Sequence, residues 1–220
     1  MYLEYDVRDY FEKIVSLKDK RVCDWGCNHG NLINYHPVDF TYTGVDVDLK
    51  LIQAMTIKEP YHKWIHFDYY NHQYNNQNTK DSWPDVGAQD LYLLYSVLTH
   101  MDVETMKEHI NYFDADIYAT FFDSTNRDLL KYILGYRLDS SIADKVYNKD
   151  ISYVIKLKDD ILIINDTEKI PRMSNAQYML TFYSPNYISQ YGQVEHIEKN
   201  CDCFYVLSPV PNLKCPINWN

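Results

Sequence analysis

The chain has 220 residues, a formal net charge of −10 and a pI near 5.2; 46% of its residues are hydrophobic and 15% aromatic, with 22 tyrosines. This length suits one α/β domain with an elaboration, and the aromatic content rules against disorder. The acidic balance leaves no overall electrostatic footprint for a nucleic-acid backbone, although a local basic patch can coexist with an acidic total. No apolar run reaches the ~20 residues of a membrane helix. The N-terminal residues carry charge at short intervals, unlike a signal-peptide core, so a cytoplasmic location is expected. Five cysteines without zinc-site spacing point to reduced thiols.

In chain order, apolar spacing predicts a helix over Val7–Leu17. Strand one is Arg21–Asp24, followed by a Gly-containing turn and a helix beginning after Gly30. Strand two is Tyr42–Asp46, and a helix follows over Leu49–Glu59, stopped by Pro60. Strand three is Lys63–Asp68. A polar loop, Asn/Gln-rich between Asn71 and Thr79, leads to strand four at Asp90–Tyr95. Val103–Tyr112 reads as an amphipathic helix with Asp102 as its N-cap, and Asp116–Phe122 as strand five.

Beyond strand five, residues 152–157 and 161–165 flank Lys158-Asp159-Asp160 as a β-hairpin. They belong to an inserted region, 123–172, which reads either as a substrate cap or as an oligomerisation arm. A helix is expected near Asn175–Gln190, ended or kinked by Pro185. The last two strands are Val194–Glu198 and Phe204–Ser208.

The chemistry concentrates in Val22-Cys23-Asp24-Trp25-Gly26-Cys27-Asn28-His29-Gly30 and in Gly44-Val45-Asp46. Two strands ending in acids about 20 residues apart, with a glycine turn after the first, is nucleotide-fold spacing. A dinucleotide site requires G-x-G-x-x-G, and here those positions are Gly26, Asn28 and Asn31. The phosphate-loop pattern is absent as well. Asp24 would repel a pyrophosphate but favour an ammonium or sulfonium. A phosphate-free adenosine cofactor with positive charge at its far end fits, and S-adenosylmethionine is such a molecule.

These residues resemble the glycine-rich motif V-L-D-[LVI]-G-C-G-x-G of the class I S-adenosylmethionine-dependent methyltransferases. Asn28 replaces a glycine, and asparagine tolerates positive φ. The resemblance covers roughly residues 20–122 and implies a Rossmann-like α/β fold: a mostly parallel seven-stranded sheet with an antiparallel C-terminal hairpin, here with a β-hairpin inserted after strand five. It also implies one methyltransferase domain over 1–220. By the same resemblance, Asp24, Gly26, Cys27, Asn28 and Gly30 form the cofactor turn, and Asp46 with Val47 meets the ribose. Asp68 lies near the adenine amino group, Tyr69 against the adenine ring, and Ser96 in the loop lining the transfer site.

His100 follows that loop and is the one candidate general base; the alternative is a helix-capping-region histidine. Asp24 and Asp68 could instead cap the helices that follow, which for Asp24 is compatible with cofactor binding, and Asp46 and Asp48 could be solvated turn residues. No metal site is expected. The [ND]-P-P-[YF] tetrapeptide of amino-group enzymes, the cysteine of cytosine-C5 enzymes and the Lys-Asp-Lys-Glu set of ribose methylation are all missing. The run Ser96-Val97-Leu98-Thr99-His100 looks more like the small-molecule branch. The expectation is methyl transfer to a small molecule, preferably at a hydroxyl. A nucleic-acid methyltransferase and a non-catalytic scaffold with a cofactor fold are the alternatives.

Overall fold

The five residues Arg21–Trp25 (β1) lie between two parallel neighbours in the first of two units of the chain. In a computed structural model the described residues are 7–33, 37–69, 82–124, 154–158, 161–165, 179–197 and 204–208. Unit one comprises Met1–Tyr95 with Tyr112–Tyr118, and unit two Ser96–Asn111 with Ala119–Asn220.

In unit one, β1 pairs in parallel with β2 (Thr41–Asp46) and β4 (Leu91–Leu94), and β2 pairs with β3 (Lys63–His66), giving the order β3-β2-β1-β4. Every residue of β4 is buried, as expected of a parallel strand covered on both faces. The register sets Asp24 beside Gly44 and Trp25 beside Val45. Because side chains alternate along a strand, Tyr42, Gly44 and Asp46 share the face on which Asp24 lies.

The first helix, α1, covers only Val7–Glu12, shorter than the expected Val7–Leu17. The Phe11 carbonyl accepts the N–H groups of both Ile14 and Val15 in a turn, and Asp19 takes a left-handed φ of 59°. Phe11 and Leu17 are both fully buried, so the apolar spacing marked burial but not a continuous helix.

The helix expected after Gly30 is not found among the described residues; Asn31–Ile33 forms a turn instead. Gly26, Asn28 and Gly30 have φ of 75°, 49° and 70°. Positive φ keeps these three residues themselves out of any right-handed helix. Trp64 of β3 lies against this segment. A β-carbon on Gly44 would stand 2.6 Å from its indole, and one on Gly30 would stand 3.0 Å from it. The indole N–H donates to the Glu59 carbonyl at 2.9 Å. Helix α2, Leu49–Lys58, follows β2; the Asp48 carboxylate caps it by accepting from the N–H groups of Lys50 and Leu51, and Ile52 and Met55 are its buried residues. On the face of β1 opposite Asp24, Trp25 meets Phe67 at 5.3 Å and Phe113 at 5.0 Å.

In unit two, strand β5 (Asp116–Asp123, entering from unit one) pairs antiparallel with β10 (Phe204–Ser208), which pairs antiparallel with β9 (Gln193–Ile197). The C-terminal hairpin thus sits within a residue of its expected bounds. The insertion contributes β6 (Val154–Lys158) and β7 (Ile161–Asn165), an antiparallel pair with a register irregularity. It does not stand alone. β7 continues onto β8 (Met179–Tyr183), and β8 lies parallel to the end of β5. The described strands therefore number ten: the seven expected of the sheet, the expected inserted hairpin as β6 and β7, and β8, which falls where a helix was expected. The remainder of 123–172 lies outside the described residues.

The helix expected at Asn175–Gln190 is replaced by β8 and a short α4, Pro185–Ile188. Proline begins this helix: its missing N–H costs nothing in the first turn, and the Ser184 side chain accepts from the Tyr187 N–H. A 3₁₀ turn at Leu98–His100 precedes α3, Val103–Tyr112, where Asp102 accepts from the Thr105 N–H at 2.7 Å as an N-cap. The hydroxyls of Thr181 and Tyr183 both donate to the Met101 carbonyl.

Gly44→Ala should lower stability by about 1–3 kcal/mol, the usual cost of overpacking, as read by chemical denaturation. Unchanged stability would show that Trp64 does not depend on that glycine.

Candidate cofactor site

The turn after β1 is built from its own backbone. The N–H groups of Gly26 and Cys27 both donate to the Val45 carbonyl, at 2.8 and 3.0 Å, which ties the turn to the end of β2. The Gly30 N–H donates back to the Cys27 carbonyl at 2.9 Å. Asn28 projects outward in the left-handed conformation, and its N–H donates to Asp46 Oδ2 at 2.9 Å. Asp46 Oδ1 accepts the Asp48 N–H at 3.0 Å. One carboxylate thus joins the glycine turn to the start of the α2 cap. Asp46 is half-buried, and each oxygen retains acceptor capacity beyond one N–H.

Asp24 is 5% exposed and accepts the phenolic O–H of Tyr42 at 2.8 Å. Burial pushes its carboxyl up to about 7; the Tyr42 hydrogen bond opposes this, and the nearby Asp46 charge adds to it. Burial also raises Asp46, against the N–H donors of Asp48 and Asn28. The Cys23 and Cys27 thiols are free, buried and pushed far up by desolvation, hence inert as nucleophiles.

Val47 is half-buried, and its carbonyl lies 3.2 Å from His66 Nε2. Asp68 is half-exposed beyond β3. Tyr69 is buried, its ring 5.0 Å from Phe67 and 5.8 Å from Trp83 between centroids. Trp83 in turn stacks on Tyr112 at 4.4 Å and 10°. In unit two, Ser96 holds a left-handed φ of 58°. Its N–H donates to Thr120 Oγ1 at 2.7 Å and its carbonyl accepts from Thr99 Oγ1 at 2.9 Å. Such a conformation costs a non-glycine residue of order 1–3 kcal/mol and persists only where its surroundings hold it. His100 is half-exposed in the 3₁₀ turn, its backbone N–H on the Val97 carbonyl.

Unit one therefore brings together Asp24, Gly26, Cys27, Asn28, Gly30 and Asp46, with Val47 next to Asp46. Asp68 and Tyr69 follow β3, while Ser96 and His100 belong to unit two. Three residues escaped the sequence reading: Tyr42, Trp83 and His29, whose Nδ1 contacts Asn28 Oδ1 in the exposed turn. Period-2 spacing puts Tyr42, Gly44 and Asp46 on one face, but the Tyr42–Asp24 contact itself depends on the β1–β2 register. Among the described residues no cluster could hold a metal ion, and no helix is long and apolar enough to cross a membrane.

No protein-family model and no curated protein matches the chain. Solved structures do. The glycopeptide N-methyltransferase MtfA, complexed with S-adenosylmethionine, is similar over 94% of this chain and 93% of its own, with TM-score 0.55 and 8% identity. The pyocyanin biosynthetic protein PhzM is similar over 93% of this chain and 55% of its own, with TM-score 0.53 and 7% identity. An S-adenosylmethionine-dependent methyltransferase from Methanosarcina mazei is similar over 93% of this chain and 98% of its own, with TM-score 0.50 and 12% identity.

Asp24 carries a folded-state carboxyl raised above its unfolded value, so its contribution to stability is full at low pH. That contribution falls as pH rises from about 4 through about 7. Asp24→Asn should lack this decline, so the difference between wild-type and variant unfolding free energies should fall across that range; a difference independent of pH would contradict the raised carboxyl.

The parallel order β3-β2-β1-β4, the positive-φ turn closing β1 and likenesses that span nearly the whole chain lead to one conclusion: the chain has the fold of the class I S-adenosylmethionine-dependent methyltransferases.

Proposed function

We propose that the chain binds S-adenosylmethionine and transfers its methyl group to a small-molecule acceptor, preferably at a hydroxyl. The carrying observation is the pair of strand-end carboxylates, Asp24 and Asp46, on either side of a turn whose N–H groups are largely consumed internally. A pyrophosphate needs free backbone donors and a helix N-terminus. Among the described residues this turn leads into no helix, and the acids would repel the phosphates. A cationic, phosphate-free nucleoside suits the same groups. Asp46 retains lone pairs for ribose hydroxyls, and Asp24 offers a carboxyl to an ammonium. The positive φ of Asn28 supplies the bend that glycine supplies elsewhere.

Bound S-adenosylmethionine would supply an already activated methyl group. The protein's task is then to align the acceptor and exclude water. Gly26, Cys27, Asn28 and Gly30 shape the turn, Val47 flanks the ribose, and Asp68 and Tyr69 take the adenine. From its place in the sequence, Ser96 is assigned to the cofactor and His100 to removing a proton from a hydroxyl acceptor. The name of MtfA as a glycopeptide N-methyltransferase and that of PhzM as a pyocyanin biosynthetic protein support a small-molecule acceptor. They leave nitrogen open beside oxygen. The charge of −10 disfavours a nucleic-acid acceptor, which salt-sensitive RNA or DNA binding would reveal.

Asp46→Ala should weaken S-adenosylhomocysteine binding roughly tenfold to a hundredfold, the loss of a charge-assisted acceptor worth ~1.5–3 kcal/mol. Equal affinity by calorimetry would remove its ribose role. Once an acceptor is found by screening hydroxylated compounds, His100→Ala should cut turnover and leave cofactor affinity unchanged. Full activity in that variant would discard His100 as the base.

A further inference from the structure

The phenol of Tyr42 is 2% exposed and ends on a carboxyl that is itself almost wholly buried. Asp24 and Tyr42 are brought together by the β1–β2 register: Asp24 lies beside Gly44, two residues along the same face from Tyr42, and Gly44 places no side chain between them. Among the described residues, few titratable groups surround the pair. From β2 there is Asp46; from β1, Cys23; from the turn, Cys27. From the β3 side, His62 lies edge-on to the Tyr42 ring at 5.4 Å. Lys63 acts on Cys23 while its ammonium donates to the carbonyls of Asp85 and Val86. Among the described residues none of the contacts with Asp24 comes from a cation, and a buried carboxylate without a cationic partner favours its neutral form.

We propose, building on the cofactor reading above, that Tyr42 is a positioning residue: its hydrogen bond fixes Asp24 and sets its charge, so that uptake of an ammonium-bearing nucleoside is coupled to loss of a proton from Asp24. Without ligand, the carboxyl holds its proton for a substantial fraction of the time near neutral pH. The arriving ammonium favours the carboxylate, and the proton passes to solvent. No bond to carbon is made or broken. Affinity therefore rises with pH up to the carboxyl's midpoint and levels off above it. Tyr42 donates to the carboxylate and so eases its ionisation; removing the phenolic O–H moves the midpoint to higher pH.

The test is calorimetric titration with S-adenosylhomocysteine between about pH 5.5 and 8, repeated in buffers of different ionisation enthalpy. Wild-type protein should release a proton on binding, with affinity gaining up to about tenfold per pH unit below the midpoint. Tyr42→Phe, which keeps the ring, should shift the rising limb to higher pH. Asp24→Asn should bind more weakly and lose the pH dependence. Adenosine, which lacks the ammonium, should bind without proton release. A merely structural Tyr42 would lower thermal stability and leave the midpoint in place, which overturns the proposal. So would pH-independent binding to the wild type, or proton release persisting in Asp24→Asn; both read out even where Tyr42→Phe fails to fold. Absence of S-adenosylhomocysteine binding at every pH by folded protein would instead overturn the cofactor reading on which this one rests.

Discussion

The Val45 carbonyl and the Asp46 carboxylate hold the turn after β1, and the candidate site depends on that hold. A segment with positive φ at Gly26, Asn28 and Gly30 has no helix of its own among the described residues to organise it. Its conformation is set by the next strand: Gly26 and Cys27 donate to Val45, and Asn28 donates to Asp46. The same carboxylate reaches the Asp48 N–H, and Asp48 caps α2. A short hydrogen-bonded chain thus connects the turn, the end of β2 and the start of a helix. Hydrogen bonds to an ionised acceptor are roughly twice as strong as neutral ones, so one side chain can order a segment that otherwise lacks regular structure.

The face bearing Asp24 is arranged around a bulky residue and a missing one. Trp64 lies close over Gly44 and near Gly30, and the absence of a side chain at Gly44 leaves Tyr42 and Asp24 on one uninterrupted surface. Burial of an acid is expensive. Here the cost is offset in part by the Tyr42 hydrogen bond and in part by the proton the carboxyl retains up to about pH 7. A buried acid at a strand end beside the proposed cofactor turn has a reason to be there if a cation arrives. In a purely structural role, an apolar residue of similar size would serve at no electrostatic cost.

Much of unit one was legible because its signals are local. Alternation and apolar runs marked β1 to β4, and asparagine at position 28 announced a left-handed turn; in unit two, Asp102 announced the helix it caps, whereas the cap at Asp48 was not foreseen. The errors arose where local signals stopped short. Spacing of Phe11, Ile14, Val15 and Leu17 suited a helix, yet the left-handed Asp19 belongs to a turn that periodicity does not reveal. The helix after Gly30 was expected because parallel strands need a crossover, but the crossover here contains a turn, and Trp64 from a later strand lies against it. Pro185 was read as a stop and serves as a start, since proline is tolerated in the first turn and barred from the interior. The Tyr42–Asp24 contact required the strand register, which no local pattern supplies; β8, likewise, is a strand only because β5 and β7 are there to pair with it.

The central claim is that two strand-end carboxylates and a positive-φ turn select a cationic nucleoside over a phosphate-bearing one. Parallel calorimetric titrations of the folded protein with S-adenosylmethionine, S-adenosylhomocysteine and NAD test it most directly. The account predicts saturable binding of both S-adenosyl compounds and no detectable binding of NAD. Binding of NAD, or failure of both S-adenosyl compounds to bind, would contradict it.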